Sequence, residues 1–447
     1  MAKISMIGAG SIVFARNLMT DILSYPELRD SEISLMDIDL ERLELIERLG
    51  KKIIDENGFD TELEATTDRR ESLENADYVI SIIQVGGLDA FELDIEIPNE
   101  YGVNQAVGDT LGPGGVFRGL RTIPVYIDMA EDMEELCPDT LFINYVNPMA
   151  INCWAMNEAT EIETVGLCHS VQGTARDMAE YVGEPFEEVN YRAAGINHMA
   201  WFLNFEKEGE DLYPRLKEKY HDSETYEKDV TKFEILKHFD YFVSESSIHM
   251  SEYVPYFRDS EEWRERIHRR QGEEPSSSYG GEIGWTTDDE SGVYLKVCRK
   301  KAENFLEDME DMIDESDFEI NRSLEYGSRI IHSMETGNPT VIHGNVRNDG
   351  LIDNLPEGCT VEVPCLVDKS GIQPTDIGEL PPQLAALNRT NVNVQKLAVE
   401  GALNGSKEKV EQAVMMDPLT SSVLDLNKIR KMVGELFKAE DEYLPQF

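Results

Sequence analysis

The chain has 447 residues, room for two or three domains at ~100–200 residues each, and with 41% hydrophobic and 8% aromatic residues it is not a globally disordered polymer. Its 88 acidic residues against 41 basic ones leave a formal charge of −47, which repels phosphate backbones and anionic lipid surfaces, so neither nucleic acid nor membrane is an expected partner. No apolar run approaches the ~20 residues of a membrane span, no charged and then apolar leader opens the chain, and six scattered cysteines make no disulfide framework, so a cytoplasmic location is expected.

In chain order, Lys3–Ile7 reads as a strand that ends in Gly8-Ala9-Gly10-Ser11. A helix follows from Phe14 to Leu23, with Phe14, Leu18 and Ile22 on one face. Strand, glycine turn and helix together form the context in which a pyrophosphate is held, with Ile7, Gly8, Gly10 and Ser11 as candidate contacts. Val13 stands where the third glycine of the dinucleotide fingerprint would be. The next strand, Ile33–Met36, runs into Asp37, an acid suited to a ribose 2′-hydroxyl and therefore to NAD over NADP. Ala76–Gln84 reads as a buried parallel strand with Gln84 at its end, a further cofactor contact.

Leu141–Val146 is a strand, followed by a helix over Met149–Ala159 with Asn147 expected at the N-cap and Pro148 at the first helical position. Thr164–Leu167 is a strand ending in Cys168-His169-Ser170, and Val171, Ala175, Met178 and Val182 share one helical face behind it. Asn147, Cys168 and His169 thus fall at carboxyl ends of strands, where open α/β sheets bind ligands. His198 adds a second imidazole in the apolar stretch Ile196–Met199. No CxxC or HxxxH spacing is present, so spacing alone points to no metal. Beyond Val189 the alternation fades into strands over Tyr191–Glu206, charged helices up to Tyr326, strands at Thr340–His343 and Thr360–Val363, and an amphipathic helix over Leu384–Leu403. The expected fold is α/β: a Rossmann-like doubly wound sheet over residues 1–190 and an α+β substrate, metal and oligomerisation domain over 191–447. Pro275–Gly281 reads as a mobile loop.

Several longer motifs carry a resemblance. Cys168-His169-Ser170-Val171-Gln172-Gly173-Thr174, Asn144-Tyr145-Val146-Asn147-Pro148-Met149, Gly195-Ile196-Asn197-His198-Met199 and Asp109-Thr110-Leu111-Gly112-Pro113-Gly114-Gly115 with Arg118 and Arg121 are similar to those of the NAD- and metal-dependent family 4 glycoside hydrolases. The first of these and Asn345–Pro356 resemble the α-galactosidase (melibiase) branch. The resemblance implies a fold like lactate and malate dehydrogenases and NAD and Mn²⁺ as cofactors. It also implies hydrolysis by oxidation at C3, elimination across C1–C2, addition of water and re-reduction, in place of the usual carboxylate pair. Cys168 and His198 match the metal ligands, His169 the proton donor, and Asn147 with Arg118 the sugar-binding groups. Softness alone would suggest zinc or iron for a thiolate–imidazole pair; the family implies Mn²⁺. Tyr253 is the candidate C2 base, with Asp240 and Tyr241 as local competitors. A homodimer or homotetramer is implied. The alternatives are an α-galacturonidase or α-glucosidase of the same family, a net NAD-dependent dehydrogenase of a sugar or hydroxy acid, or a silent NAD-binding sensor. For a galacturonide carboxylate, Arg118, Arg121 and Arg347 stand as equal candidates.

The acid is spread from Glu27 to Glu442, so its self-repulsion acts on the folded body and not on a tail. Salt shortens that repulsion from ~10 Å at 0.1 M to ~3 Å at 1 M, and a high-salt cytoplasm is the expected milieu. Thermal melts from dilute buffer to molar KCl are expected to show a rising Tm; equal stability at both ends refutes this expectation.

Overall fold

Short apolar runs with no polar alternation demand burial on both faces, and the central strands receive it. The computed structural model describes residues 1–271, 292–303, 305–314, 320, 322–444 and 446–447; the expected loop at 275–281 lies outside them. Strands β1 (Lys3–Ile7), β2 (Glu32–Met36), β3 (Glu62–Thr66), β4 (Tyr78–Ser81), β5 (Leu141–Asn144) and β6 (Glu163–Leu167) pair in parallel in the order β3-β2-β1-β4-β5-β6. Every residue of β4 and β5 is buried, as is all of β6 except Glu163, whereas the edge strand β3 keeps two exposed glutamates. This is the strand order of a doubly wound dinucleotide-binding sheet.

The later strands are β7 (Asn190–Ile196), β8 (Met199–Lys207), β9 (Glu210–Asp211), β10 (Thr340–Arg347), β11 (Thr360–Asp368) and β12 (Gly371–Pro374). They extend the same sheet instead of building another: Gly344 and Asn345 of β10 pair antiparallel with Leu167 and Gly166 of β6. The order continues β6-β10-β11-β7-β8-β9, with β12 beside β11, making twelve strands among the described residues.

The first two fingerprint glycines each answer a steric demand. Gly8 has φ +92°, and a Cβ there would sit 2.8 Å from the backbone of Ile82 and Ile83. A Cβ on Gly10 would sit 2.6 Å from the Asp37 carboxylate. The third glycine is dispensable because Val13 faces outward, 53% exposed, on the helix Ile12–Leu23.

The helix expected over Leu384–Leu403 spans Pro382–Asn404 and turns polar side chains inward as well as apolar ones. Asn388 donates from Nδ2 to the Met199 carbonyl (2.8 Å) and accepts the Trp201 indole N–H (2.8 Å). Asn391 donates to the Tyr253 carbonyl (3.1 Å). One helix therefore pins both the start of β8 and the segment holding Tyr253.

A buried ion cluster ties the chain's end to the first half. Arg121, on the helix Gly112–Leu136, donates to Asp94 (2.5 and 3.0 Å), Glu440 (2.7 Å) and the Val85 carbonyl (3.0 Å), and the three charged side chains have no exposed surface. Two carboxylates share one guanidinium, and burial with the neighbouring Asp94 holds the Glu440 carboxyl well above the usual range. Arg121 is therefore committed to the fold and not to substrate. Arg121→Ala is expected to cost about 3–5 kcal/mol, since the partners are left buried and uncompensated; a loss below about 1 kcal/mol by urea denaturation contradicts this assignment.

Candidate active site

Because β1, β4, β5 and β6 are parallel neighbours, the segments leaving their carboxyl ends line one edge of the sheet. At β1, the N–H groups of Gly8, Gly10 and Ser11 are bonded within the turn, to the Met36 carbonyl (2.8 Å), the Asp37 carboxylate (2.7 Å) and the Gly8 carbonyl (3.0 Å). These residues shape the turn that leads into the helix Ile12–Leu23, whose Phe14 and Ala15 N–H groups donate to the Ser11 carbonyl (3.0 and 2.9 Å). Ile7 buries its side chain, and its carbonyl accepts from Ile82 (2.9 Å). Asp37 also accepts from Asp39 N–H (2.9 Å), which fixes both its oxygens in place. Gln84, exposed, donates to the Gly87 carbonyl (3.0 Å) at the next turn.

At β5 the capping expectation is corrected. The helix Met149–Ala159 has Pro148 at its N-cap in an extended conformation, and Asn147 lies one residue outside. Its side chain instead donates to Asp109 (3.1 Å), while its carbonyl accepts from Arg118 Nε (3.0 Å). Of the three candidate arginines Arg118 is the one at this edge; Arg347 pairs with Asp349 (2.9 Å) at the surface.

At β6 the chain delivers Cys168 and His169. The Cys168 thiol, the His198 imidazole and the Glu245 carboxylate bring ligand atoms within 4.8 Å of one another, all three residues buried. Burial, then Glu362 and Glu245, push the Cys168 thiol well above its ordinary pKa. The Oε2 atom of Glu245 is buried without a hydrogen-bond partner. Thiol, imidazole and orphaned carboxylate fit a divalent ion. His169 sits at the rim: burial opposes its charged form, but Glu325, 3.5 Å from Nδ1, raises its pKa overall.

His198 occupies the two-residue turn between β7 and β8, and its Nδ1 is 3.1 Å from the Tyr253 hydroxyl. Burial, with Glu245 and Asp109 adding to it, drives that phenol well above its ordinary pKa, so the protein groups alone do not make it a base. Its competitors lie elsewhere: Asp240 is 72% exposed and paired with Lys217 (2.7 Å), and Tyr241 packs on the Tyr213 ring.

Residues 3–184 match the family 4 glycosyl hydrolase profile and residues 193–420 that of the family 4 glycosyl hydrolase C-terminal domain. The chain belongs to family 4 of the glycosyl hydrolases. It is 43% identical, over all of both chains, to a protein of Bacillus subtilis (strain 168) named alpha-galactosidase. It is 39% identical to an alpha-galactosidase of Rhizobium meliloti (strain 1021), covering 100% of this chain and 89% of that one. Its structure matches that of a 6-phospho-alpha-glucosidase from gut microorganisms, in complex with NAD and Mn²⁺, with a TM-score of 0.81 at 19% identity over 100% of this chain and 99% of that one.

In this glycoside hydrolase the segment Ser244–Tyr253 supplies groups that sequence reasoning did not single out. His249 binds Glu252 through Nδ1 (2.6 Å) and Thr110 through Nε2 (3.2 Å), and its ring lies 4.8 Å from that of His198. Glu252 also accepts from the N–H groups of Val107 and Gly108 (3.2 Å each). The i, i+3 spacing of His249 and Glu252 was the available signal. Burial disfavours the imidazolium, but the Glu252 carboxylate outweighs it, and His249 is pushed up to about 9. A raised histidine contributes stability that is full below its unfolded value near 6.5 and is lost as pH rises through 9. Urea denaturation between pH 6 and pH 10 (~the span of the two pKa values) should show wild type losing more stability than His249→Gln, by a difference of order 3 kcal/mol. Parallel pH profiles for the two proteins exclude this linkage.

Proposed function

We propose that this glycosidase hydrolyses α-galactosides with NAD⁺ and Mn²⁺ as resident cofactors. The observation carrying the substrate is the 43% identity, over both full lengths, with the Bacillus subtilis protein named alpha-galactosidase. The cofactors are supported by the NAD and Mn²⁺ of the 6-phospho-alpha-glucosidase complex, by the turn at Gly8–Ser11 with Asp37, and by the buried Cys168–His198 pair.

When bound, NAD⁺ supplies a hydride acceptor for C3 of the sugar and the divalent ion a Lewis acid for the ketone oxygen, worth several kcal/mol of charge stabilisation. The chain's own groups do the rest. The opening N–H groups of the helix Ile12–Leu23 take the pyrophosphate, and Asp37 accepts a ribose hydroxyl. Cys168 and His198 hold the metal. Asn147, fixed by Asp109 and Arg118, orients the sugar hydroxyls. Tyr253, as the phenolate that a cation held by the neighbouring His198 would favour, receives the C2 proton, which is acidic beside a C3 ketone, and His169, steadied through Nδ1 by Glu325, hands a proton to the departing glycosidic oxygen.

Nitrophenyl α-galactoside should be cleaved with NAD⁺ in catalytic amount and no build-up of absorbance at 340 nm, and faster than nitrophenyl α-galacturonide. Cys168→Ser should abolish hydrolysis while leaving NAD⁺ affinity within about twofold, because the thiol is remote from the glycine turn in function. Stoichiometric NADH, faster galacturonide cleavage, or full activity of the serine variant after chelation each contradicts the reading.

A further inference from the structure

We propose that Glu245, through Oε2, is a third protein ligand to the ion held by Cys168 and His198, an inference that rests on reading this site as a metal centre.

Distance is the first argument. Donors on opposite sides of one ion, at ~2.0–2.3 Å each, lie ~4–4.6 Å apart. The three side chains already bring their donors within 4.8 Å, so closure needs only a small shift. The His198 Nε2 and Glu245 Oε2 atoms are 3.4 Å apart, a spacing suited to adjacent ligands.

Aim is the second. Oε1 of Glu245 accepts from the Ser246 N–H (2.9 Å), which fixes the carboxylate and leaves Oε2 buried with no hydrogen-bond partner. Glu245 is 3% exposed, so Oε2 has no water to turn to. Glu362, with both oxygens buried and without a hydrogen-bond partner, lies near Glu245 and Cys168, and burial, then the Glu245 carboxylate, push it up to about 8.

The backbone supplies the third. His198 and Glu245 have φ of +63° and +80°, conformations that cost roughly 1–3 kcal/mol each in residues other than glycine. Both stand at the ends of segments laced together: Trp201 bridges Val243, Ser244 donates to the Ala200 carbonyl (2.8 Å), and Ala200 donates to the Ser244 hydroxyl (3.1 Å). The lacing holds the two strained residues face to face.

Donor chemistry is the fourth. Thiolate and imidazole alone suit zinc, whereas a carboxylate adds the hard oxygen that manganese prefers. Glu245 thereby reconciles a soft pair with Mn²⁺.

The test uses the full-length protein with NAD⁺ bound. Mn²⁺ affinity, read from the electron paramagnetic resonance of the free ion, should fall more than about 100-fold in Glu245→Gln, beyond the 10–100-fold typical of a residue that only orients a ligand. NAD⁺ affinity of the variant reports that it is folded. Independently of any variant, anomalous diffraction from wild-type crystals grown with Mn²⁺ should place the ion within about 2.5 Å of Glu245 Oε2. An ion on Cys168 and His198 with Glu245 beyond about 3 Å, or binding by Glu245→Gln within about threefold of wild type, overturns the proposal and leaves the metal centre standing. Wild type that takes up no Mn²⁺ in either experiment overturns both.

Discussion

Cys168, His198, Glu245 and His249 are all withdrawn from water, each at most 9% exposed. Removing ionisable groups from water costs several kcal/mol apiece unless each is answered by opposite charge or hydrogen bonds. The protein answers part of this debt itself, through Glu252 on His249, Tyr253 on His198 and the histidines that hold the Glu245 carboxyl below its usual range, while burial pushes the Cys168 thiol and the Glu362 carboxyl toward their neutral forms. What the edge of the sheet presents is a buried donor set, with Glu245 Oε2 lacking a hydrogen-bond partner.

Keeping such a cluster in place needs rigid supports, and these come from distant parts of the chain. Glu252 ties the short helix Ser247–Met250 to the backbone at Val107 and Gly108, and Thr110 links His249 to Asp109 and so to Asn147. Asn388 and Asn391 reach the same region from the helix Pro382–Asn404. Arg121, bonded to Asp94 and Glu440, closes the chain's end over the helix from which Arg118 projects. Buried polar networks of this kind reward full satisfaction and punish the loss of any one member.

The same edge combines two functions that separate folds usually divide. A glycine turn with an acid after the second strand is a dinucleotide device; a buried thiol and imidazole form a metal device. One parallel sheet carries both at the carboxyl ends of its strands, the glycine turn after β1 and Cys168 after β6, with β4 and β5 between them. The sheet extension through β10 and β11 carries the hairpin between β7 and β8, whose turn brings His198 to Cys168 at the end of β6.

Local pattern was enough for the parallel strands, whose unbroken apolar runs reflect burial on both faces, and for the turn at Gly8–Ser11 with Asp37, where steric demand is set by a few adjacent residues. Family motifs marked Cys168, His169, His198, Asn147 and Arg118, Tyr253 was a candidate among local competitors, and these converge on one edge. What no window of sequence contained was the choice among equals. Arg118 differs from Arg121 and Arg347 only because Arg121 is consumed by Asp94 and Glu440, and Arg347 by Asp349. Glu245 is one of 88 acidic residues until the bridge between Trp201 and Val243 brings it to His198. Such distinctions arise from contacts between residues far apart in the chain, and in a sequence this rich in carboxylates only the tertiary structure separates the few that are buried and aimed from the many that are solvated.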